Sequence, residues 1–166
     1  MLKKFIENNK NLILIIIIAF IISRFFAFSI VFGKSMYPTF DHGDYVFVNR
    51  ISYKIDEPKR GDIIVFKSHL PGERYLIKRI IGIPGDTVEI KDNKVFLNGK
   101  ELNEAYIKEK MYFNDMKVTV EPDKYFVMGD NRNNSLDSRY AEVGQVEKSR
   151  ILGKVEFKLF KLPIKK

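Results

Sequence analysis

The sequence predicts a mainly β protein, in which an N-terminal transmembrane helix is followed by an antiparallel β domain with a small inserted β subdomain. A long apolar stretch near the N-terminus predicts the helix. Beyond it, short β-branched and aromatic runs alternate with turn residues and show no helical periodicity. A polar, weakly patterned stretch interrupts these runs and predicts the insertion. The predicted division is 1–24 for the flank and anchor, 25–91 and 123–166 for the β core, and 92–122 for the subdomain.

The helix is predicted over roughly residues 5–24. An unbroken apolar run covers Leu12 to Ile22, and apolar character continues to Phe32, twenty-one residues in all. At about 1.5 Å per residue, this length is enough to cross a hydrocarbon core of roughly 30 Å. Arg24 lies near the end of the span, where its side chain can reach the lipid head groups. A cleaved secretory signal ending near Ala27 is the alternative, and we favour an uncleaved anchor.

The charges that flank the helix predict its orientation. Lys3, Lys4 and Lys10 precede the apolar run and are opposed only by Glu7. Positive charge on a short flank favours retention of that flank in the cytoplasm. We therefore expect a single-pass protein of the cell membrane, with its N-terminus in the cytoplasm and its β domain outside the cytoplasm.

The β domain is predicted to be built from seven strands joined mostly by tight turns. Asp92-Asn93 and Asn98-Gly99 provide residues that tolerate positive φ between or after such strands. Only two segments, 101–110 and 141–147, are compatible with short helices. The predicted strands are Tyr45–Val48, Ile63–Lys67, Tyr75–Ile83, Thr87–Lys91, Lys94–Leu97, Lys124–Met128 and Lys154–Leu159.

Composition excludes several kinds of chemistry. The chain has no cysteine, so it has neither a disulfide framework nor a thiolate nucleophile, and its two histidines, His42 and His69, make a histidine-rich metal site improbable. The net charge of +8 comes from 29 basic and 21 acidic residues that are interleaved, without a nucleic-acid-binding motif. We expect no metal, no cofactor and no nucleic-acid partner; attraction to anionic lipid explains the surplus more simply.

Two segments contain candidate groups for hydrolysis. Segment 33–39 reads GKSMYPT and presents Ser35 between Gly33 and Pro38, directly after the apolar stretch. Segment 75–86 reads YLIKRIIGIPGD, and strand alternation places Lys78 among apolar side chains. Burial lowers the pKa of a lysine from about 10.4, as a lysine general base requires. A turn serine and a lysine whose ammonium reaches water are the alternatives from each segment alone.

A third segment, 129–139, is dense in polar residues and reads GDNRNNSLDSR. Asp137 and Arg139 could pair to hold this loop rigid, and the Ser135 hydroxyl could accept a hydrogen bond from Lys78 and orient its amine. A surface loop could have the same composition.

In their order and spacing, these three segments resemble the motifs of bacterial type I signal peptidases, which are membrane-anchored Ser–Lys endopeptidases. The resemblance covers nearly the whole chain, and the short form with one anchor looks like the Gram-positive type. It implies that Ser35 is the nucleophile, Lys78 the general base and Ser135 a residue that orients the lysine, with Asp137 and Arg139 as a structural ion pair. Some members carry a serine where this chain has Gly33, so the oxyanion hole is expected to rely on backbone N–H groups.

The resemblance also implies the partners. Substrates would be preproteins that carry signal peptides, cut after small side chains, and the enzyme is expected to act as a monomer without metal or cofactor. An apolar surface would rest on membrane lipid. The candidates for this surface are Phe25, Phe26, Phe28, Phe32 and Phe40.

Other functions remain as alternatives at this stage. A membrane-tethered β module for adhesion or assembly is the non-enzymatic one, with the tripeptide Arg60-Gly61-Asp62 as its recognition element. A self-cleaving repressor-type Ser–Lys protease would need a DNA-binding domain. Penicillin-binding chemistry is disfavoured because the chain has no Ser-x-x-Lys. A Ser–His arrangement through His42 or His69 is possible.

Overall fold

A computed structural model describes residues 2–72 and 74–163. Helix α1 (Leu2–Phe25) precedes all the strands, and most of its described side chains are exposed. By length and composition, its segment Lys4–Phe25 is suited to crossing a membrane. The predicted helix is confirmed, and its bounds exceed the expected 5–24 by a few residues at most.

Eleven strands form two antiparallel sheets. The larger has seven strands in the order β1-β2-β11-β3-β4-β9-β10, and the smaller has four in the order β7-β6-β5-β8. One helical turn, α2 (Ser52–Ile55), follows β2. The strands are β1 (Phe26–Ile30), β2 (Asp44–Asn49), β3 (Ile63–Lys67), β4 (Tyr75–Gly82), β5 (Thr87–Lys91), β6 (Lys94–Leu97), β7 (Lys100–Glu101), β8 (Met116–Thr119), β9 (Lys124–Met128), β10 (Val146–Glu147) and β11 (Ile151–Lys161).

The small sheet begins earlier than the sequence suggested. The predicted β core includes residues 87–91. These residues form β5, which pairs with β6 on one side and β8 on the other and so belongs to the small sheet. The predicted boundary at residue 92 therefore falls inside the β5–β6 hairpin. That hairpin turns at Asp92 and Asn93, with φ of 51° and 61°, as their tolerance of positive φ predicts.

Neither of the two short helices forms. Glu101 ends β7, and residues 102–110 run as turns that pack Leu102 and Tyr106 against the apolar core of the small sheet. In 141–147, Gly144 adopts φ of 59° and Val146 then pairs with Tyr125 of β9. In both segments, pairing and burial outweigh a weak local preference for helix.

The apolar surface differs in part from the prediction. Phe26, Phe28 and Phe32 are exposed, as expected, but Phe40 is buried between the sheet and the segment after Ser35. Its burial follows from the compact turn 36–40, closed by the bond from the Phe40 N–H to the Met36 carbonyl. The aromatic surface extends instead across β1, β2 and β11, where neighbouring rings stack at centroid separations of 5.0–5.8 Å. Phe26, Phe28, Phe157 and Phe160 are exposed in this surface, and Tyr45 and Phe47 between them are half-buried.

Candidate active site

The two residues predicted to react are in direct contact. Ser35 lies in the turn that follows β1, and Lys78 lies in β4 with 2% of its surface exposed. The Lys78 Nζ donates to Ser35 Oγ at 2.8 Å and to the Ile77 carbonyl at 3.0 Å. Strand alternation thus places an amine in a buried setting beside a half-buried hydroxyl, which is the geometry required for proton transfer between them.

The third polar segment holds the backbone of the turn that carries Ser35. The Asn131 N–H donates to the Ser35 carbonyl at 3.0 Å, and the Asn131 side-chain amide donates to the Lys34 carbonyl at 3.0 Å. Two successive peptide groups are therefore fixed by a single residue. This role of Asn131 is not predictable from sequence, because an asparagine in a polar loop gives no indication of its partner.

Gly129 allows the three segments to meet. A Cβ on Gly129 would lie 2.2 Å from Ser135 Oγ and 2.5 Å from the Ser35 carbonyl oxygen, so any larger residue would collide with both. The absence of a side chain at Gly129 therefore allows Ser135 to lie close to the turn that carries Ser35. Ser135 Oγ donates its proton to Asp137 Oδ2 at 2.7 Å, which leaves the oxygen lone pairs as acceptors.

Asp137 and Arg139 form a buried ion pair within the loop. Arg139 Nε donates to Asp137 Oδ1 at 2.8 Å and Nη2 donates to Oδ2 at 2.9 Å, a two-pronged contact. The same carboxylate accepts the Gly129 N–H at 2.9 Å. The pair therefore fixes both the loop that carries Ser135 and the backbone at Gly129.

A second buried pair lies on the opposite face of β4. Arg79 donates through Nε and Nη2 to Asp130 at 2.8 and 2.7 Å, and the Thr39 hydroxyl also donates to Asp130. The guanidinium lies 4.1 Å from the centroid of the Tyr106 ring. Through Thr39, the Arg79–Asp130 pair connects β4 to the turn that carries Ser35. Because Arg79 follows Lys78 in the strand, this connection lies directly behind the lysine. Alternation along a strand places Arg79 on the face opposite Lys78, but it gives no indication of the partners of Arg79.

Gly33, predicted to lie near the oxyanion hole, has φ of 83°, a conformation that favours glycine. Its N–H donates to His42 Nδ1 at 3.2 Å, so this amide is occupied by a neighbouring imidazole. His42 therefore supports the turn, and within the described part of the chain neither His42 nor His69 forms a hydrogen bond with Ser35. Among the described residues, no group of three His, Asp or Glu side chains is arranged to hold a metal ion.

A cleft of about 890 Å³ opens beside Ser35 and Lys78. Its walls are formed by the end of β1, by β4 and by the loop after Asn134, and they are largely apolar. Phe28, Val65 and Ile77 are among the side chains that line it. Its size and lining suit an extended, apolar peptide segment that passes across the serine.

Comparisons with known proteins agree with this architecture. Residues 5–160 match the family described as signal peptidase, peptidase S26. Signal peptidase I P of Bacillus subtilis subsp. natto is 40% identical over 95% of this chain and 90% of its own length, and signal peptidase I T of Bacillus subtilis strain 168 is 38% identical over 94% and 86%. The crystal structure of a signal peptidase I from Enterococcus faecalis V583 aligns with a TM-score of 0.53 and 35% identity, covering 61% of this chain and 98% of that one.

Proposed function

Because this chain belongs to the signal peptidase family, peptidase S26, we propose that it removes N-terminal signal peptides from secreted preproteins as a membrane-bound serine endopeptidase. Ser35 is the nucleophile and Lys78 the general base of this proposal. The observation that carries it is the 2.8 Å contact between Lys78 Nζ and Ser35 Oγ at the edge of an apolar cleft.

The reaction is acyl transfer to Ser35 and then to water. The neutral Lys78 amine takes the Ser35 proton, Ser35 Oγ attacks the scissile carbonyl, and the lysine returns the proton to the leaving amine. In the second half, the amine activates a water that hydrolyses the acyl-enzyme. Burial of Lys78 supports this assignment, because removal from water disfavours the ammonium form.

Backbone groups supply the oxyanion hole in this scheme. No side-chain donor exists at Gly33, and its N–H is bonded to His42. The Ser35 N–H has no hydrogen-bond partner among residues 2–72 and 74–163, so it is available to the developing oxyanion. Asn131 supports this role, since it holds the peptide group that contains this N–H, through the Lys34 carbonyl, and the peptide group that follows, through the Ser35 carbonyl.

The helix places enzyme and substrate on one membrane surface. With α1 spanning the bilayer and its N-terminus in the cytoplasm, the β domain faces the side on which exported preproteins emerge. Confinement of both partners raises their effective concentration without any additional contact. Specificity for small side chains at the cut site is expected from shallow pockets in the cleft.

The structure argues against the Arg60-Gly61-Asp62 tripeptide as a recognition element for adhesion. Arg60 Nε donates to Asp86 at 2.7 Å, and Asp62 accepts from the Lys154 ammonium at 2.8 Å. Both charged side chains of the Arg60-Gly61-Asp62 tripeptide therefore have intramolecular partners. Nothing else in the described residues favours a non-enzymatic module over the dyad.

Removal of either member of the dyad is the direct test. We expect the full chain in detergent to cleave a secretory precursor at its signal junction, and Ser35→Ala and Lys78→Met each to lower kcat by at least about 100-fold, the lower end of general-base contributions. Lys67→Met, an exposed lysine on the neighbouring strand, is the matched control and should keep full activity. Thermal unfolding of each variant separates lost chemistry from lost fold. Wild-type rates in either dyad variant would exclude this pair, and an inactive wild-type enzyme would exclude the function.

Ser135 provides a graded test of the same mechanism. We expect Ser135→Ala to lower kcat by on the order of 10- to 100-fold, because a misplacement of about 1 Å costs roughly 100-fold. KM should change little, since the cleft walls remain. Ser149→Ala, a serine on the surface turn before β11, should leave both constants unchanged. Full activity of Ser135→Ala would remove its orienting role while leaving the dyad intact.

A further inference from the structure

A second cavity, of about 750 Å³, lies where the anchor helix meets the large sheet. It is separate from the cleft and has no part in the proposed reaction. Its lining includes Arg24 in the last turn of α1, Arg50 after β2, and Lys54 in α2. The volume lies within the range of small-ligand sites.

The cavity is tied to the end of the helix. The Arg50 N–H donates to the Phe25 carbonyl at 2.8 Å, and the Lys54 ammonium lies 5.7 Å from the centroid of the Phe25 ring. A helix that crosses a bilayer core of about 30 Å has its ends at the level of the head groups. The mouth of the cavity therefore lies at the depth of the lipid phosphates.

Positive charge dominates the lining. Lys124 pairs with Glu121 at 2.6 Å and Lys148 pairs with Glu57, but Arg24 and Arg50 have no side-chain partner within the described part of the chain. Both arginines are exposed. A favourable interaction with the C-terminal end of the α1 dipole would explain why a positively charged residue, Arg24, lies there. It would not explain Arg50 and Lys54, which lie outside that helix. The charged lining residues are Arg24, Arg50, Lys54, Lys124 and Lys148, opposed by Asp123 and Glu147.

We propose that this cavity binds the phosphate of an anionic phospholipid from the leaflet into which the helix emerges. Arg24 and Arg50 supply paired guanidinium donors, which match the geometry of a phosphate, and Lys54 adds a third positive charge. A lipid is favoured over a soluble phosphate because the helix end fixes the cavity at the membrane surface.

Such a lipid would fix the β domain relative to the membrane. Strand β1 runs from the end of α1 to the segment that carries Ser35, and its five residues span about 17 Å. A head group held at one end of this strand restricts rotation of the domain about the helix end. The cleft at the other end is thereby kept at a defined height above the bilayer.

Lipid retention by the purified full chain tests the proposal. Native mass spectrometry would count lipids bound from mixed micelles that contain phosphatidylglycerol or phosphatidylcholine. We expect wild-type protein to bind phosphatidylglycerol more tightly, and Arg24→Gln and Arg50→Gln to weaken it roughly fivefold each and about 30-fold together. Binding of phosphatidylcholine should not change.

Two controls make the result decisive. The double variant Lys91→Gln/Lys100→Gln removes two exposed cations from the small sheet and should bind as wild type does. Inorganic phosphate at millimolar concentration should fail to displace the lipid. The proposal is overturned if wild type shows no preference for phosphatidylglycerol or if free phosphate displaces the lipid. It is also overturned if Arg24→Gln/Arg50→Gln and Lys91→Gln/Lys100→Gln weaken phosphatidylglycerol binding equally. Since no arm requires peptide cleavage, the outcome is independent of the peptidase proposal.

Discussion

The two sheets of this molecule bury different kinds of side chain. Beside the large sheet, the loops around Ser35 bury charged groups in matched contacts. The core of the small sheet is instead an apolar cluster. The buried charged residues near the dyad are Lys78, Asp130, Arg132, Asp137 and Arg139, and the fully buried residues of the small sheet's cluster include Val88, Ile90, Val95, Met111 and Val120.

This difference suggests that the two regions have different roles: the charged cluster positions the loops around Ser35, and the apolar core of the small sheet stabilises the fold. Burying a charge is costly unless it is paired and hydrogen-bonded, so an apolar core is the more economical way to stabilise a fold. The small sheet follows that rule. The charged cluster departs from it where polar loops are held beside the proposed reactive pair, and we infer that its contacts serve the geometry of the site.

Loss of Asp137 should have the largest effect. Asp137→Ala leaves the Arg139 guanidinium buried without its carboxylate and frees the Gly129 N–H, so we expect a loss of about 3–5 kcal/mol in the free energy of unfolding. Activity should fall further than stability predicts, because Ser135 loses its acceptor. Urea unfolding of the full chain in detergent measures the first effect and kcat the second.

The matched control for Asp137 is Glu142→Ala, which removes an exposed carboxylate after the same loop and should cost less than about 0.5 kcal/mol. A cost below about 1 kcal/mol for Asp137→Ala would show that the loop is held without its ion pair. The contrast between the two sheets would then lose its physical basis.

A core change in the small sheet should reduce stability and spare catalysis. Ile90 is fully buried between β6 and β8, and Ile90→Val removes one methylene from the cluster. We expect a loss of about 0.5–1.5 kcal/mol in the free energy of unfolding, with kcat unchanged. Ile55→Val, at a site that is 80% exposed, should be nearly neutral. A fall in kcat for Ile90→Val would mean that the small sheet also positions the dyad.

Strand positions were predictable because they depend on local pattern. All seven predicted strands form, and the turn at Asn98-Gly99 has the positive φ that its residues allow. Which strands pair with each other was harder to predict, since pairing depends on contacts between residues that are distant in sequence. Strand 87–91 has the same composition whether it pairs in the large sheet or the small one.

The two candidate reactive residues were predictable for a different reason from their supports. The local signals at Ser35 and Lys78 each had a structural alternative, and both roles were assigned from the resemblance of three segments to type I signal peptidases. Asn131 and Asp130 were not identified, because their partners lie about 50 to 100 residues away in the chain. Glu104, which binds Arg132 at 2.7 Å from a segment expected to be helical, was missed in the same way.

The smallest expected effect concerns the junction between the sheets. Asp86 lies between β4 and β5 and accepts from Arg60, which precedes β3, and from Asn98 in the small sheet. Burial raises the pKa of Asp86, but the hydrogen bonds from Arg60, Asn98 and the Ile83 N–H outweigh it and hold the pKa below its usual value. The ionised carboxylate is therefore the form that stabilises the junction.

The consequence is a loss of stability in acid that depends on this one carboxylate. Because the pKa is lower in the folded state, its contribution is complete above the pKa of about 3.9 of an unfolded aspartate and disappears as pH falls through the folded value. At pH 7 we expect Asp86→Asn to cost less than about 1 kcal/mol, since nearly half of the Arg60 side chain is in water. Urea unfolding from pH 7 to pH 3 should show the difference between Asp86→Asn and wild type shrinking. A difference that stays constant across this range would mean that the sheets are joined by packing alone, and that the charged contacts of this molecule matter only around the dyad.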